Sequence, residues 1–165
     1  MGLVGFTDSD WAGNVSDRKS TSGCCFSLGL GIVSWFSRKQ KSVALSSAEA
    51  EYMAASQASC EALWLRKLMV DIFGQQMGPT VIRCDNQSCI RLSENLVFHD
   101  RSKHIEIRYH FIRDYVQRGA VLLRYISTDE QVADILTKSL SRGKHIYFRD
   151  KMGVVKNTFL GKREC

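Results

Sequence analysis

The run Gly5-Phe6-Thr7-Asp8-Ser9-Asp10-Trp11-Ala12-Gly13 lies close to the start of the chain and contains the first predicted strand and two aspartates. Val4 and Phe6 alternate with Leu3, Gly5 and Thr7, and this alternation predicts a short β-strand with two faces. Asp8 and Asp10 follow Val4 and Phe6 on one face, where a carboxylate is costly to bury without a partner. The pattern favours two interpretations about equally: a strand that brings carboxylates to the edge of a sheet, or an acidic turn exposed to solvent.

The composition is typical of one soluble globular domain. The chain has 165 residues, of which 44% are hydrophobic and 24% charged, and this length allows a sizeable core. No apolar run reaches the length of a membrane span, and the first residues lack the charged and apolar segments of a signal peptide. We therefore expect an intracellular protein, cytoplasmic or nuclear, without a membrane segment.

Cysteine and charge patterns narrow the function further. The six cysteines form no CxxC motif and the four histidines form no HExxH motif, so neither a disulfide framework nor a zinc site is expected. We expect reduced thiols that act as small core residues. The net charge of +6 and the pI of about 9.1 favour a polyanionic partner, more so because the basic residues cluster.

Beyond the first strand, the patterning predicts a single α/β layer domain with a mixed sheet. Strands are predicted at residues 24–28, 32–37, 80–84 and 120–126, with 43–45 as a further candidate. Helices are predicted at residues 46–73, 87–94, 104–118 and about 131–140, with one or two further turns at 145–151. The segment 95–103 is predicted to be a loop.

The first predicted helix carries an acid on its buried face. Ser46 and Glu49 have the spacing of a capping box, which accounts for Glu49. Glu51 instead shares a helical face with small and apolar residues: Ala55, Ala58, Ala62, Leu65 and Met69. This position favours a functional carboxylate over a buried ion pair with an arginine or lysine, and it leaves both interpretations open.

Two later acids are less distinctive by pattern alone. Asp85 follows the strand predicted at residues 80–84, and ligands of α/β sheets gather beyond the carboxyl ends of strands. A helix N-cap explains Asp85 equally well. Asp134 points away from most of the apolar stripe of its predicted helix, so its spacing favours a solvated acid near a helix N-terminus.

Six motifs, in order along the chain, carry a specific resemblance. They are GFTDSDWAG, DRKSTSG, VALSSAEAEYMAA, CDNQS, RSKHIEIRYHFIRD and QVADILTKSL. Together they resemble the ribonuclease H domain of Ty1/copia-type LTR-retrotransposon polyproteins over residues 3–157. The resemblance implies an α/β, ribonuclease H-like fold, with a mixed five-stranded sheet, an antiparallel second strand and helices on both faces. It assigns residues 1–157 to this domain and leaves 158–165 as an unassigned tail.

By the same resemblance, the catalytic and metal-binding carboxylates are Asp8, Glu51, Asp85 and Asp134. Crowded carboxylates raise one another's pKa unless cations lie between them. The family is expected to use two Mg²⁺ ions, with Mn²⁺ as a substitute, to hydrolyse the RNA strand of RNA–DNA hybrids during reverse transcription. The implied partners are such a hybrid and a reverse transcriptase domain in the parent polyprotein.

Nucleic-acid contacts are expected around these carboxylates. The resemblance places Gln87, and more loosely Asn14 and Ser47, where such enzymes touch the minor groove of the hybrid. For the basic run at residues 38–41, a solvated loop is the alternative to a surface that contacts phosphates. The candidates for phosphate contacts are Arg38, Lys39, Lys41, Arg101, Lys103 and Arg108.

Other functions stay open as alternatives. A catalytically silent or domesticated remnant of the same fold would bind nucleic acid without cleaving it. A protein-interaction role is neither favoured nor excluded by the hydrophobic and charge patterns. A transposase or integrase is disfavoured, because the segment 119–125 lacks the late acid that such an enzyme needs.

Overall fold

The computed structural model of the protein describes residues 2–74, 76–95 and 111–155. Within these ranges the strands are β1 Leu3–Asp10, β2 Thr21–Leu28, β3 Gly31–Lys39, β4 Thr80–Cys84 and β5 Val121–Tyr125. The α-helices are α1 Ser47–Phe73, α2 Gln87–Glu94, α3 Phe111–Gln117 and α4 Arg142–Lys151. Two 3₁₀ segments, Thr128–Glu130 and Val132–Leu136, lie between β5 and α4. No helix in these ranges is long and apolar enough to cross a membrane.

One sheet with the strand order β3-β2-β1-β4-β5 forms the framework. β2 runs antiparallel to β1 and β3, whereas β4 is parallel to β1, and β5 is parallel to β4. The mixed five-stranded sheet with an antiparallel second strand is therefore confirmed, as is the β2–β3 hairpin. Because β1 and β4 are parallel neighbours, their carboxyl ends, at Asp10 and Cys84, meet at one end of the sheet. We call this end the carboxyl edge.

The adjacent residues Cys24 and Cys25 show how both faces of the sheet are covered. Successive side chains of a strand point to opposite faces, and both cysteines are fully buried. Cys24 joins the larger core, which includes Tyr52 of α1. Cys25 joins a smaller core that includes Phe148 of α4. Both are core thiols, as predicted, whereas Cys60 is exposed, which the prediction did not foresee.

α1 begins and ends for the predicted reasons. The Ser46 side chain accepts a hydrogen bond from the backbone N–H of Glu49 (3.1 Å), and the Glu49 carboxylate accepts one from the N–H of Leu45 (2.8 Å). Gly74 ends the helix in the left-handed conformation, with φ of 64°. Glu51 is buried with the small residues that share its face, so the prediction of an acid on the buried side of α1 is confirmed.

The candidate strand at residues 43–45 is wrong. Val43 and Leu45 are exposed, while Ala44 is buried and its carbonyl accepts a hydrogen bond from the Trp11 indole (3.2 Å). β3 is an edge strand, and the chain passes from it directly into α1. These residues therefore connect two elements instead of pairing with a strand.

The helix predicted over residues 131–140 is also wrong, because the 3₁₀ segment Val132–Leu136 takes its place and the turns at 145–151 belong to α4. Gln131 accounts for the difference. It is fully buried, and its Nε2 donates hydrogen bonds to the carbonyls of Thr7 (2.9 Å) and Arg83 (3.5 Å). These bonds anchor the start of the segment to β1 and β4.

Parts of three predictions lie outside the described residues. They are most of the loop 95–103, the first half of the helix 104–118, and the boundary and tail at 157–165. The described part of that helix is α3.

Gly23 of β2 allows the 3₁₀ segment to lie close against the sheet. A Cβ atom at this position would lie 2.7 Å from Thr137 Cγ2 and 2.9 Å from Leu136 Cβ. Separations this short force the surrounding atoms to move. Two features thus position the 3₁₀ segment Val132–Leu136. The buried amide of Gln131 anchors its start, and Gly23 leaves room for it to pack against β2.

Gly23→Ala is therefore expected to push the 3₁₀ segment away from β2. We expect the free energy of unfolding to fall by about 1–3 kcal/mol, as for overpacked core sites, measured by urea denaturation. Gly31→Ala is the matched control, because a Cβ at Gly31 meets nothing within 4 Å, and we expect it to change stability by less than about 1 kcal/mol. Equal effects of the two substitutions would contradict this account of the packing.

Candidate active site

Asp8 lies near the end of β1, and only 2% of its surface is exposed. Its Oδ2 accepts a hydrogen bond from the Thr137 hydroxyl and lies 3.5 Å from Lys138 Nζ. Asp10 behaves differently, because its Oδ1 accepts a hydrogen bond from the backbone N–H of Thr21. The strand pattern placed both acids on one face, but their carboxylates contact different parts of the fold. Asp8 contacts the residues that follow the 3₁₀ segment, whereas Asp10 bonds to the start of β2.

Asp85 follows β4 directly and is half-buried. Its Oδ2 accepts a hydrogen bond from the Thr128 hydroxyl (2.8 Å). The N-cap of α2 is Asn86, whose Oδ1 accepts a hydrogen bond from the backbone N–H of Cys89 (2.9 Å). The interpretation of Asp85 as the helix cap is therefore wrong, and its carboxylate is available at the carboxyl edge.

Asp134 lies in the 3₁₀ segment Val132–Leu136 and is 2% exposed. The expectation of a solvated acid, based on spacing, is wrong because α-helical periodicity does not apply to a winding with three residues per turn. Oδ1 of Asp134 lies 3.1 Å from Lys138 Nζ. Burial, together with the negative charge of Asp8, raises the pKa of Asp134 to about 6, against the opposing effect of Lys138.

The carboxylates of Asp8, Asp85 and Asp134 converge. One oxygen of each lies within 4.8 Å of the corresponding oxygens of the other two. The three residues, which we call the carboxylate cluster, come from three separate parts of the fold: β1, the residue after β4, and the 3₁₀ segment. Carboxylate oxygens are the hard ligands that Mg²⁺ and Mn²⁺ prefer. The cluster therefore fits a divalent cation, which would also relieve the repulsion among its members.

Glu51 lies beside the cluster and outside the 4.8 Å set. Its Oε1 accepts a hydrogen bond from the backbone N–H of Ser9 (3.0 Å), and Cys84 Sγ lies 4.0 Å from its Oε2. Burial, followed by the charges of Asp8, Cys84 and Asp85, raises the pKa of Glu51 to about 10. Among the described residues no arginine or lysine pairs with Glu51, so the alternative of a buried ion pair finds no support there.

Lys138 is the described cation that contacts the cluster, and pattern analysis missed it. Burial lowers the pKa of its ammonium, but the charges of Asp8, Asp134 and Asp85 outweigh burial and raise the pKa above its ordinary value. Its spacing of four residues from Asp134 is the signal that could have identified it. Gln131 anchors the 3₁₀ segment and Thr137 donates a hydrogen bond to Asp8. Neither was predicted, because isolated buried polar side chains do not produce a hydrophobic periodicity in the sequence.

Six of the nine residues predicted to contact nucleic acid are described, and all six lie on segments that meet at the carboxyl edge. Asn14 follows β1, the basic residues lie at and after the end of β3, and the remaining two begin α1 and α2. They are Asn14, Arg38, Lys39, Lys41, Ser47 and Gln87. The other three, Arg101, Lys103 and Arg108, lie outside the described residues.

The local contacts of these six residues differ. Lys41, Ser47 and Gln87 are exposed. Lys39 forms an exposed ion pair with Asp17 (2.6 Å), and such a surface pair contributes little stability and exchanges readily. The other two make contacts nearby: Arg38 lies over the ring of Phe36 (4.8 Å to the centroid), and Asn14 Oδ1 accepts hydrogen bonds from Ser16 and Asp17.

Comparison with known proteins identifies relatives of the chain. No family model matches it. It is 45% identical over 156 residues to the retrovirus-related Pol polyprotein from transposon RE2 of Arabidopsis thaliana, covering 94% of this chain and 11% of that polyprotein. It is 42% identical over 155 residues to the corresponding polyprotein from transposon TNT 1-94 of Nicotiana tabacum, covering 94% and 12%. The chain thus spans about one tenth of the length of the curated relatives it matches.

A solved structure shares the fold of this chain. LC11-RNase H1, in complex with an RNA/DNA hybrid, superposes with a TM-score of 0.58 over 82% of this chain and 93% of that chain. The sequence identity is 14%, so this likeness concerns the fold alone. In sequence the chain is a relative of one segment of the Pol polyproteins of Ty1/copia-type retrotransposons, and in structure it has the ribonuclease H fold.

Proposed function

We propose that the protein is a ribonuclease H that hydrolyses the RNA strand of RNA–DNA hybrids, with Asp8, Glu51, Asp85 and Asp134 as its catalytic carboxylates. The observation that carries the proposal is the convergence of three carboxylates at the carboxyl edge of a ribonuclease H fold. The sequence relatives support it, because they are retrotransposon Pol polyproteins. The structural relative LC11-RNase H1 supports it as well, because it was solved with an RNA/DNA hybrid.

In this proposal the carboxylate cluster holds divalent cations, two Mg²⁺ ions by the family resemblance, and Glu51 is a further carboxylate beside them. When bound, Mg²⁺ (or Mn²⁺) supplies the positive charge that activates the attacking water and stabilises the leaving 3′ oxygen of the RNA. The chain itself supplies orientation. The hydroxyls of Thr137 and Thr128 donate hydrogen bonds to Asp8 and Asp85, which restricts the direction of both carboxylates.

Recognition of the substrate is assigned to the polar and basic side chains around the cluster. Contacts with 2′-hydroxyls in the wide minor groove distinguish an RNA strand from DNA, and contacts with phosphates position the duplex without reading its sequence. The proposed minor-groove residues are Asn14, Ser47 and Gln87, and the proposed phosphate contacts are Arg38, Lys39 and Lys41, with Arg101, Lys103 and Arg108.

We also propose that residues 1–157 act as one domain of an intracellular polyprotein that contains a reverse transcriptase, with 158–165 as a tail. The support is the alignment itself, which matches the chain to about one tenth of each Pol polyprotein. The reverse transcriptase domain would supply the substrate, because reverse transcription makes an RNA–DNA hybrid. The site of action would be a cytoplasmic retrotransposon particle or the nucleus.

Cleavage of a labelled RNA–DNA hybrid in Mg²⁺ tests the activity. We expect the RNA strand to be cut, single-stranded RNA to stay intact, and Asp85→Asn to lower the rate at least about 100-fold, which is about 2.7 kcal/mol of transition-state stabilisation. Asp129→Asn is the matched control, because Asp129 is an exposed acid paired with Lys144 (2.9 Å) outside the cluster. Folded protein that binds the hybrid without cutting it would contradict the proposal and favour a silent nucleic-acid-binding remnant.

The burial of the Glu51 carboxyl group predicts a pH-dependent effect on stability. The pKa of Glu51 is about 10 in the folded protein, whereas its ordinary value is 4.5. Between pH 4.5 and pH 10 the folded protein therefore holds a proton on Glu51 that the unfolded chain has lost. Stability therefore falls as pH rises through this range. In EDTA, Glu51→Gln is expected to be more stable than the wild type at pH 8 by at least about 1 kcal/mol, and by much less at pH 5.

Urea denaturation at both pH values measures this difference. The neighbouring Glu49→Gln is the control, because Glu49 accepts a hydrogen bond at the helix N-terminus and lies outside the cluster. A Glu51→Gln protein that is less stable than the wild type at pH 8 would show that this carboxylate does not oppose folding.

A further inference from the structure

The Lys138 ammonium bridges two members of the carboxylate cluster. Its Nζ lies 3.1 Å from Oδ1 of Asp134 and 3.5 Å from Oδ2 of Asp8. The carboxylates of both aspartates are almost fully buried, whereas 38% of the lysine side chain is exposed. The ammonium therefore reaches the cluster from the solvent side and lies against two of the carboxylates that would bind a divalent cation.

The fold fixes the backbone of Lys138, whereas its ammonium is held through ion pairs with Asp8 and Asp134. The backbone N–H of Lys138 donates to the carbonyl of Asp134 (3.2 Å), and the preceding residue, Thr137, donates its hydroxyl to Asp8. Beyond this anchored backbone, lysine has a flexible four-carbon stem with a compact charge at its tip. The tip can therefore move into solvent without any change in the 3₁₀ segment.

Within residues 2–74, 76–95 and 111–155, Lys138 is the cation that pairs with the carboxylate cluster. No other lysine or arginine there forms an ion pair with Asp8, Asp85 or Asp134. Removing one partner of a buried ion pair leaves an uncompensated charge, which is strongly destabilising. Among the described residues, Lys138 is thus the cation that offsets the charges of Asp8 and Asp134 when no divalent cation is bound.

We propose that Lys138 is an internal counter-ion that occupies the cation position between Asp8 and Asp134 until a divalent metal ion displaces it. The inference rests on the proposed function in one respect, that the cluster binds divalent cations. Lys138 is in this account a positioning residue, because it keeps Asp8 and Asp134 together for the metal and then withdraws. Metal binding is consequently weaker than the three carboxylates alone would allow, since displacement of the ammonium opposes it.

Lys138→Met tests the competition by Mg²⁺ titration calorimetry without substrate. We expect the variant to bind Mg²⁺ about tenfold more tightly, because a positive charge within a few ångströms no longer opposes the ion. Lys138→Arg keeps the charge and should stay within about threefold of the wild type. Lys144→Met is the matched control: it removes the same charge from an exposed pair with Asp129, and we expect less than a twofold change.

Thermal unfolding gives a second measurement that needs no catalysis. In EDTA, Lys138→Met should melt at least about 5 °C below the wild type, and saturating Mg²⁺ should remove most of this difference. If Lys138→Met fails to fold in EDTA, the neutral and polar Lys138→Gln takes its place in both measurements.

Three outcomes would overturn the inference. Unchanged Mg²⁺ affinity in Lys138→Met would mean that the ammonium does not compete, and weaker affinity would mean that it supports the metal site. Absence of Mg²⁺ binding in both the wild type and Lys138→Met would overturn the competition together with the metal site of the proposed function. Retained competition in a protein that does not cleave hybrids would overturn the proposed activity alone.

Discussion

Asp8, Glu51 and Asp134 are almost fully buried beside the half-buried Asp85, although ionised carboxylates repel one another and lose hydration in such a place. The arrangement of β1, β4, α1 and the 3₁₀ segment places the four acids together. Parallel pairing of β1 with β4 brings two of the acids to one edge of the sheet. α1 and the 3₁₀ segment bring the other two from the two faces. Each element contributes one acid, so the site exists only when all of them are packed together.

Two buried glutamines hold that edge together without adding charge. Gln131 donates to the carbonyls of Thr7 and Arg83 and so joins the 3₁₀ segment to β1 and β4. Gln40 lies in the middle of the basic run, and its Nε2 is within hydrogen-bonding distance of the hydroxyls of Ser9 (3.2 Å) and Ser22 (2.9 Å) and of the Ala50 carbonyl in α1 (3.0 Å). Buried amides that make several hydrogen bonds restrict the geometry around them. They supply the rigid support that a site of close carboxylates requires.

The sequence predicted those parts of the fold that depend on local chemistry. The Ser46 cap and the stripe of small residues predicted α1 and singled out Glu51. Alternation predicted β1, but it left a carboxylate at the edge of the sheet and an exposed acidic turn about equally favoured. Asp134 was assigned by resemblance to a family, because its burial depends on a 3₁₀ winding that helical periodicity misjudges. Contacts made across long separations, such as those of Gln131 with Thr7 and of Lys138 with Asp8, follow from the assembled sheet and cannot be read from patterns. Residues 104–110 of the helix predicted over 104–118, and the contacts of Arg101, Lys103 and Arg108, stay predictions.

In the proposed function, three carboxylates from separate elements together bind divalent cations. Anomalous diffraction from crystals soaked in Mn²⁺ is the measurement to make first, because it locates the ion without reference to activity. The account predicts a peak at the carboxylate cluster, bound by oxygens of Asp8, Asp85 and Asp134, with Lys138 Nζ moved away. Saturating Mn²⁺ that leaves the cluster without a peak while its side chains stay ordered, or that binds only elsewhere, would contradict it.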